Sequence, residues 1–271
     1  PIVPLPPFEM QPDFKNPEDK DAVIEKLQYD ITVDRFPAGK VEIEVKRQEN
    51  YKSQPTPVFV VTMKTHSNRA FGFRYDVDDT AHSTFDAKGG FSRFFHMDRK
   101  EGGAKVVEKI TFNYSKDTMA ATYERPRLGD EQKWATSTIP LTGKSLDPLC
   151  AIFYLRSFAQ PSAELKLKDI PIGKTVPAIT LPICSDRHVW NTKLYKVGED
   201  HHDIGDRKNQ VCAVFEIDAP FKGLFERVGK MRVWVDVKTG LAVKMTAEIP
   251  IGAAEAVLNT DASQNLPTPK E

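Results

Sequence analysis

The stretch Gly198 to Asp206, GEDHHDIGD, gathers two of the chain's six histidines with Glu199, Asp200, Asp203 and Asp206. Imidazole and carboxylate suit zinc and other transition metals, so a loop bringing His201 or His202 together with Asp203 would hold a metal for hydrolysis. The competing reading is a solvated hairpin loop rich in turn formers. Residue order favours it, because neighbouring histidines on extended chain point to opposite faces and no second ligand pair stands at a metal spacing. Arg156 and Tyr154, in YLRSF at the end of an apolar run, form the next candidate. A guanidinium there either clamps an anionic ligand at a cavity mouth or satisfies sheet carbonyls or a helix end, and we favour the structural use. Phe91, Phe94, Phe95 and Trp234 are candidates for lining that cavity, or for filling it as ordinary core.

Other stretches carry less chemistry. TGKS at Thr142 to Ser145 imitates the end of a phosphate-binding loop, but Thr138 stands where the earlier glycine is required. KEGGAK places Gly102 and Gly103 where a tight turn needs positive φ. Neither HExxH nor GxSxG occurs, and no sequence cue near Cys150, Cys184 or Cys212 makes any of them a credible nucleophile. Their odd number leaves at least one unpaired within the chain. No cofactor is therefore expected, a metal at GEDHHDIGD being the one alternative.

The elements that must position these residues are mostly strands. Leu27, Tyr29, Ile31 and Val33 alternate with polar residues, RFPAG follows as an expected turn, and Val41, Ile43 and Val45 alternate again. The pattern returns at Phe59 to Met63, Ile110 to Tyr114, Val211 to Ile217, Met231 to Val237 and Leu241 to Ile249, with Gly240 at a hairpin's left-handed position. About ten such strands with one wet face predict an antiparallel sheet that curls strongly or closes like a barrel.

One segment breaks the alternation. In DPLCAIFYLRSF, Asp147 is a good N-cap, Pro148 suits the first helical position, and apolar residues surround the helix. A helix of about twelve residues, about 18 Å long, covered on nearly every side, fits the concave face of a curled sheet. The fold class expected is thus mainly β, one antiparallel sheet wrapped around one short buried helix.

Lys plus Arg equals Asp plus Glu at 38 each, so no global field draws the chain toward nucleic acid. No apolar run approaches the roughly 20 residues of a membrane-spanning helix. The proline-rich opening, residues 1–24, reads as an arm or linker, residues 25–260 as a single β-rich domain, and 261–271 as a tail.

EKLQYDITVDRFPAGKVEIEV, FSRFFHMDRKEGGAKVVEKITFNY, DPLCAIFYLRSF and MRVWVDVKTGLAVKMTAEIPIGAAEAVL occur in order between Glu25 and about Asn259. Together they resemble the bacterial family known as domain of unknown function 3108. The resemblance implies a β-rich, exported protein, periplasmic or lipid-anchored, with no established activity and with its signal sequence absent from this chain. The partner expected is a component of the cell envelope: an apolar chain, a glycan or a protein.

Overall fold

The structure, a computed structural model, describes residues 23–52, 56–68, 76–115, 117–127, 130–160, 163, 165–218 and 230–269. Of the expected proline-rich arm, only Val23 and Ile24 fall among them, and both belong to the first strand.

Among the described residues fourteen strands follow in chain order: β1 (Val23–Val33), β2 (Phe36–Gln48), β3 (Val58–Ser67), β4 (Asp78–Asp86), β5 (Ser92–Glu101), β6 (Ala104–Tyr114), β7 (Met119–Arg127), β8 (Asp130–Pro140), β9 (Ile179–Ser185), β10 (His188–Ile204), β11 (Arg207–Asp218), β12 (Met231–Asp236), β13 (Ala242–Ile249) and β14 (Gly252–Leu258). They form one antiparallel sheet in the order 8-7-6-5-4-3-2-1-14-13-12-11-10-9. Two meanders, β1 to β8 and β9 to β14, thus meet where β1 pairs with β14. The sheet curls without closing, leaving β8 and β9 as edges. The expected curled antiparallel sheet is what forms, with fourteen strands rather than about ten.

Alternation explains the faces. Leu27, Tyr29, Ile43, Val45, Val61 and Met63 are almost fully buried, whereas Gln28, Glu42, Glu44 and Thr62 on the same strands are not. The first turn differs from expectation. Asp34 and Arg35, at φ 49° and 72°, make the two-residue turn, and Phe36 to Gly39 of RFPAG already belong to β2. A two-residue hairpin loop wants positive φ at both central positions. Pro37, with no N–H to give a ladder, sits beside the register shift between Ile31 and Thr32. Gly102 and Gly103 form the β5–β6 turn with positive φ, as read.

The buried helix is present and shorter. Helix α1 spans Pro148–Tyr154 and tightens into a 3-10 turn over Leu155–Ala159, where Ser157 Oγ donates to the Tyr154 carbonyl at 2.7 Å. Asp147 caps it, accepting from the Leu149 and Cys150 N–H groups at 2.9 Å each. Leu149, Cys150, Phe153 and Tyr154 are buried, and Ile152 is only partly so. The helix packs on β4 and β9. Just before it, Ser145 accepts from the N–H of Ser92, while Leu146 bridges in parallel to Ile183. Those two residues link the start of β5 to the edge strand β9. Beyond β14, Gln264 and Lys26 exchange backbone hydrogen bonds at 2.7 and 3.1 Å, so the start of the expected tail runs along β1.

Candidate functional site

The barrel has two unlike ends. At one, α1 and its polar anchors occupy the interior. At the other, which we call the mouth, the inner walls of β3 to β6 turn from apolar to charged. Thr65 on β3 lies opposite Asp79 on β4, while Arg99 and Glu101 continue the inward parity of Phe95 and Met97 along β5. Met97 pairs with Glu108 on β6. Thr65, Asp79, Arg99 and Glu108 are all buried, with Asp79 2% and Glu108 3% exposed.

These groups perturb one another. Asp79 Oδ1 accepts from the Lys100 N–H at 2.7 Å. Burial, then the neighbouring Glu101 carboxyl, push Asp79 up to about 8, against the opposing pull of that N–H and of Arg99. The two acids are coupled, and the pair favours a protonated form of Asp79. Glu108 is pushed up to about 7 by burial and by Asp186, while Tyr123, Arg99 and Arg125 hold it lower. The Arg99 guanidinium lies 4.0 Å from Glu101. Thr65 Oγ1, Asp79 Oδ2 and Arg99 Nη1 are buried without a fixed donor or acceptor among the described residues. Buried polar atoms left over in this way are uncommon, and perturbed acids beside a cavity mark a binding-site candidate.

The cavity is there. About 110 Å³ opens at the mouth between β1 to β3 and β12 to β14, with almost wholly apolar walls that include Val41, Met231, Met245 and Ala247. Thr65 and Glu101 belong to the same wall, joining the charged cluster to the apolar space.

The residues singled out from sequence lie elsewhere. Arg156 is 4% exposed and its Nη1 donates to Glu25 Oε2 on β1 at 2.8 Å. Its partner is thus a carboxylate from the opposite end of the sequence, not a sheet carbonyl. Tyr154 is fully buried with its ring edge-on to Phe158 at 6.0 Å, and Phe95 is fully buried in the core. Phe91 stands edge-on to Tyr114 at 4.9 Å under the Arg93 and Lys144 cations, while Phe94 takes the outward parity of β5. Trp234 lies on the outer face, its Nε1 donating to Asp200 Oδ2 at 3.1 Å. None of these six lines the mouth cavity.

His201, His202 and Asp203 are a correction in structure. They lie within β10 rather than in a loop, the turn coming later at Gly205. Extended chain sends His201 and His202 to opposite faces; His202 Nε2 is 3.5 Å from Asp200 Oδ2, whereas Asp203 pairs with Lys208 at 3.1 Å. Among the described residues no group of three or more His, Cys, Asp or Glu is disposed to hold a metal ion. Cys150, Cys184 and Cys212 are free and buried, and burial pushes Cys184 and Cys212 up to about 12 and Cys150 well up, which keeps the thiols protonated and inert.

The sequence reading missed Asp79, Arg99, Glu101 and Glu108. The signal was present as parity: Glu108 shares a face with Ile110 and Phe112, and Asp79 with Ala81, Ser83 and Phe85.

Comparison with known proteins agrees with this architecture. The model of the family described as "Protein of unknown function (DUF3108)" matches residues 28–259. No curated protein matches. Among solved structures, the chain is similar to a crystal structure of a beta-barrel-like protein of domain of unknown function DUF1849 from Brucella abortus. The TM-score is 0.51 at 12% identity, over 89% of this chain and 98% of that one, a likeness of fold.

Proposed function

The chain belongs to the DUF3108 family of proteins of unknown function, and from that premise we propose that it is a non-catalytic protein of the cell envelope. Its role is to seat an apolar group in the mouth of its half-open barrel. One observation carries the reading: an apolar cavity whose wall includes Thr65, a buried hydroxyl without a partner among the described residues. A dry cavity of about 150 Å³ takes a benzene ring, so one of about 110 Å³ with an open mouth suits the end of an alkyl chain or a small ring. The inert thiols support a binding role over cysteine-based catalysis.

Gently purified protein, sprayed under native conditions, should retain an apolar adduct, and Ala247→Trp, which fills the cavity, should abolish it. Retention of the adduct by Ala247→Trp, or no adduct and no uptake of added apolar probes, ends the binding reading. Export is the second part of the proposal. Fractionation of cells making the full-length gene product should place it in the periplasm or on a membrane face, and recovery with cytosolic enzymes would refute it.

A further inference from the structure

We propose that the mouth cavity selects a neutral, hydroxyl-bearing apolar molecule, whose hydroxyl group sits between Thr65 Oγ1 and the Glu101 carboxylate. This deepens the binding reading above and rests on it. Thr65 is 4% exposed, lines the cavity, and has a hydroxyl without a partner among the described residues. Such a group loses its water on burial and regains a bond only from a ligand or a bound water, which makes it a specificity element. Glu101 lies on the same wall as an acceptor.

Charge decides the rest. The Arg99 guanidinium lies 4.0 Å from Glu101, and Asp79, pushed up by burial, is coupled to that same carboxyl. The charges of this cluster answer one another, Arg99 facing Glu101, so a ligand charge of either sign entering this low-dielectric wall would find its counterion already engaged. An open polar groove adjoins the cavity and holds Arg35, Lys230 and Arg232, but Lys230 and Arg232 already bind Glu216 at 3.0 and 3.3 Å. A hydroxyl, by contrast, donates to Glu101 and accepts from Thr65 at once.

The test compares four probes of similar apolar size on the full chain at pH 7: 1-hexanol, hexanoate, hexylamine and toluene. Binding is followed by NMR through the methyl groups of Met231 and Met245, both on the cavity wall. Hexanol should bind at least tenfold more tightly than hexanoate or hexylamine. Thr65→Val should weaken hexanol at least fivefold and leave toluene unchanged, and Thr65→Ser should restore hexanol. Equal affinity for hexanol and hexanoate, tighter binding of hexylamine, or equal loss of hexanol and toluene in Thr65→Val would overturn the hydroxyl assignment while leaving apolar binding standing. Binding of none of the four overturns both readings.

Discussion

The two ends of the barrel spend their buried polar groups differently. At the helix end, Asp147 accepts from Ser83 and Ser92 hydroxyls at 2.6 Å each and from two helix N–H groups, and returns its own N–H to Ser92 at 2.6 Å. Arg156 meets Glu25 there. At the mouth, on the same strands, Thr65, Asp79 and Arg99 keep atoms with no partner among the described residues. Glu25 Oε1 and Gln160 Oε1 at the helix end are left over as well, but only at the mouth does a leftover group, the Thr65 hydroxyl, stand on the wall of the apolar cavity. That contrast is what points to the mouth.

The largest test of the contrast is Glu25→Ala. It strands a buried guanidinium and should cost about 3–5 kcal/mol, read from the urea midpoint; a cost below about 1 kcal/mol would mean the pair is dispensable. Asp147→Ala comes next, at about 2–4 kcal/mol, because it removes the cap and leaves two serine hydroxyls and two N–H groups buried. Burial pushes Asp147 itself upward against those hydrogen bonds, so Asp147→Asn should cost less than Asp147→Ala.

The mouth should behave in the opposite sense. Asp79 is raised in the folded state from an ordinary value of 3.8 to about 8, so the folded chain holds a proton that the unfolded chain releases. Its favourable contribution is full below about pH 4 and is lost as pH rises toward 8. Asp79→Asn, neutral throughout, should flatten the fall in melting temperature between pH 5 and 8 and stabilise the protein at pH 8 by about 1–3 kcal/mol. An unchanged slope would remove Asp79 from the cluster. Smallest of all, Thr65→Val should shift stability by less than about 1 kcal/mol, since the hydroxyl it removes has no partner to lose. A cost of about 2 kcal/mol or more would show a bonded hydroxyl and erase the difference between the ends.

Much of the helix end was legible in sequence. The Asp147-Pro148 start, the all-round apolar run and the alternating strands each carry a local signal, and Gly240 sits at φ 70° in the β12–β13 turn. Arg156 was read as structural, but its partner Glu25 was not found, because only the β1–β2 end of the sheet brings residues 131 positions apart together. The mouth was illegible for another reason. VDDTAH and HMDRKEGG look like solvated strand and turn when charge is read alone; only the parity of Asp79, Arg99 and Glu101 with buried neighbours places them inside. Tyr154 and the aromatic set were sought around the helix, which is where the interior is filled. The cavity lies where side chains from both meanders run out, and no single stretch records that.

Gly240 shows how tightly that filled end is built: a Cβ there would run into the backbone of Arg156. The seam between β1 and β14 has a consequence for the order of synthesis. Asp34 and Ala253, bonded across it, lie 219 residues apart in the chain. A ribosome delivers β1 to β8 first, and that meander must wait with one long edge of β1 unsatisfied until β14 emerges. Until then the nascent sheet offers a bare row of N–H and C=O groups to any other strand nearby. Such late, long-range closure makes for slow folding, because the middle of the sheet is completed by β14 rather than by a strand next to β1 in sequence.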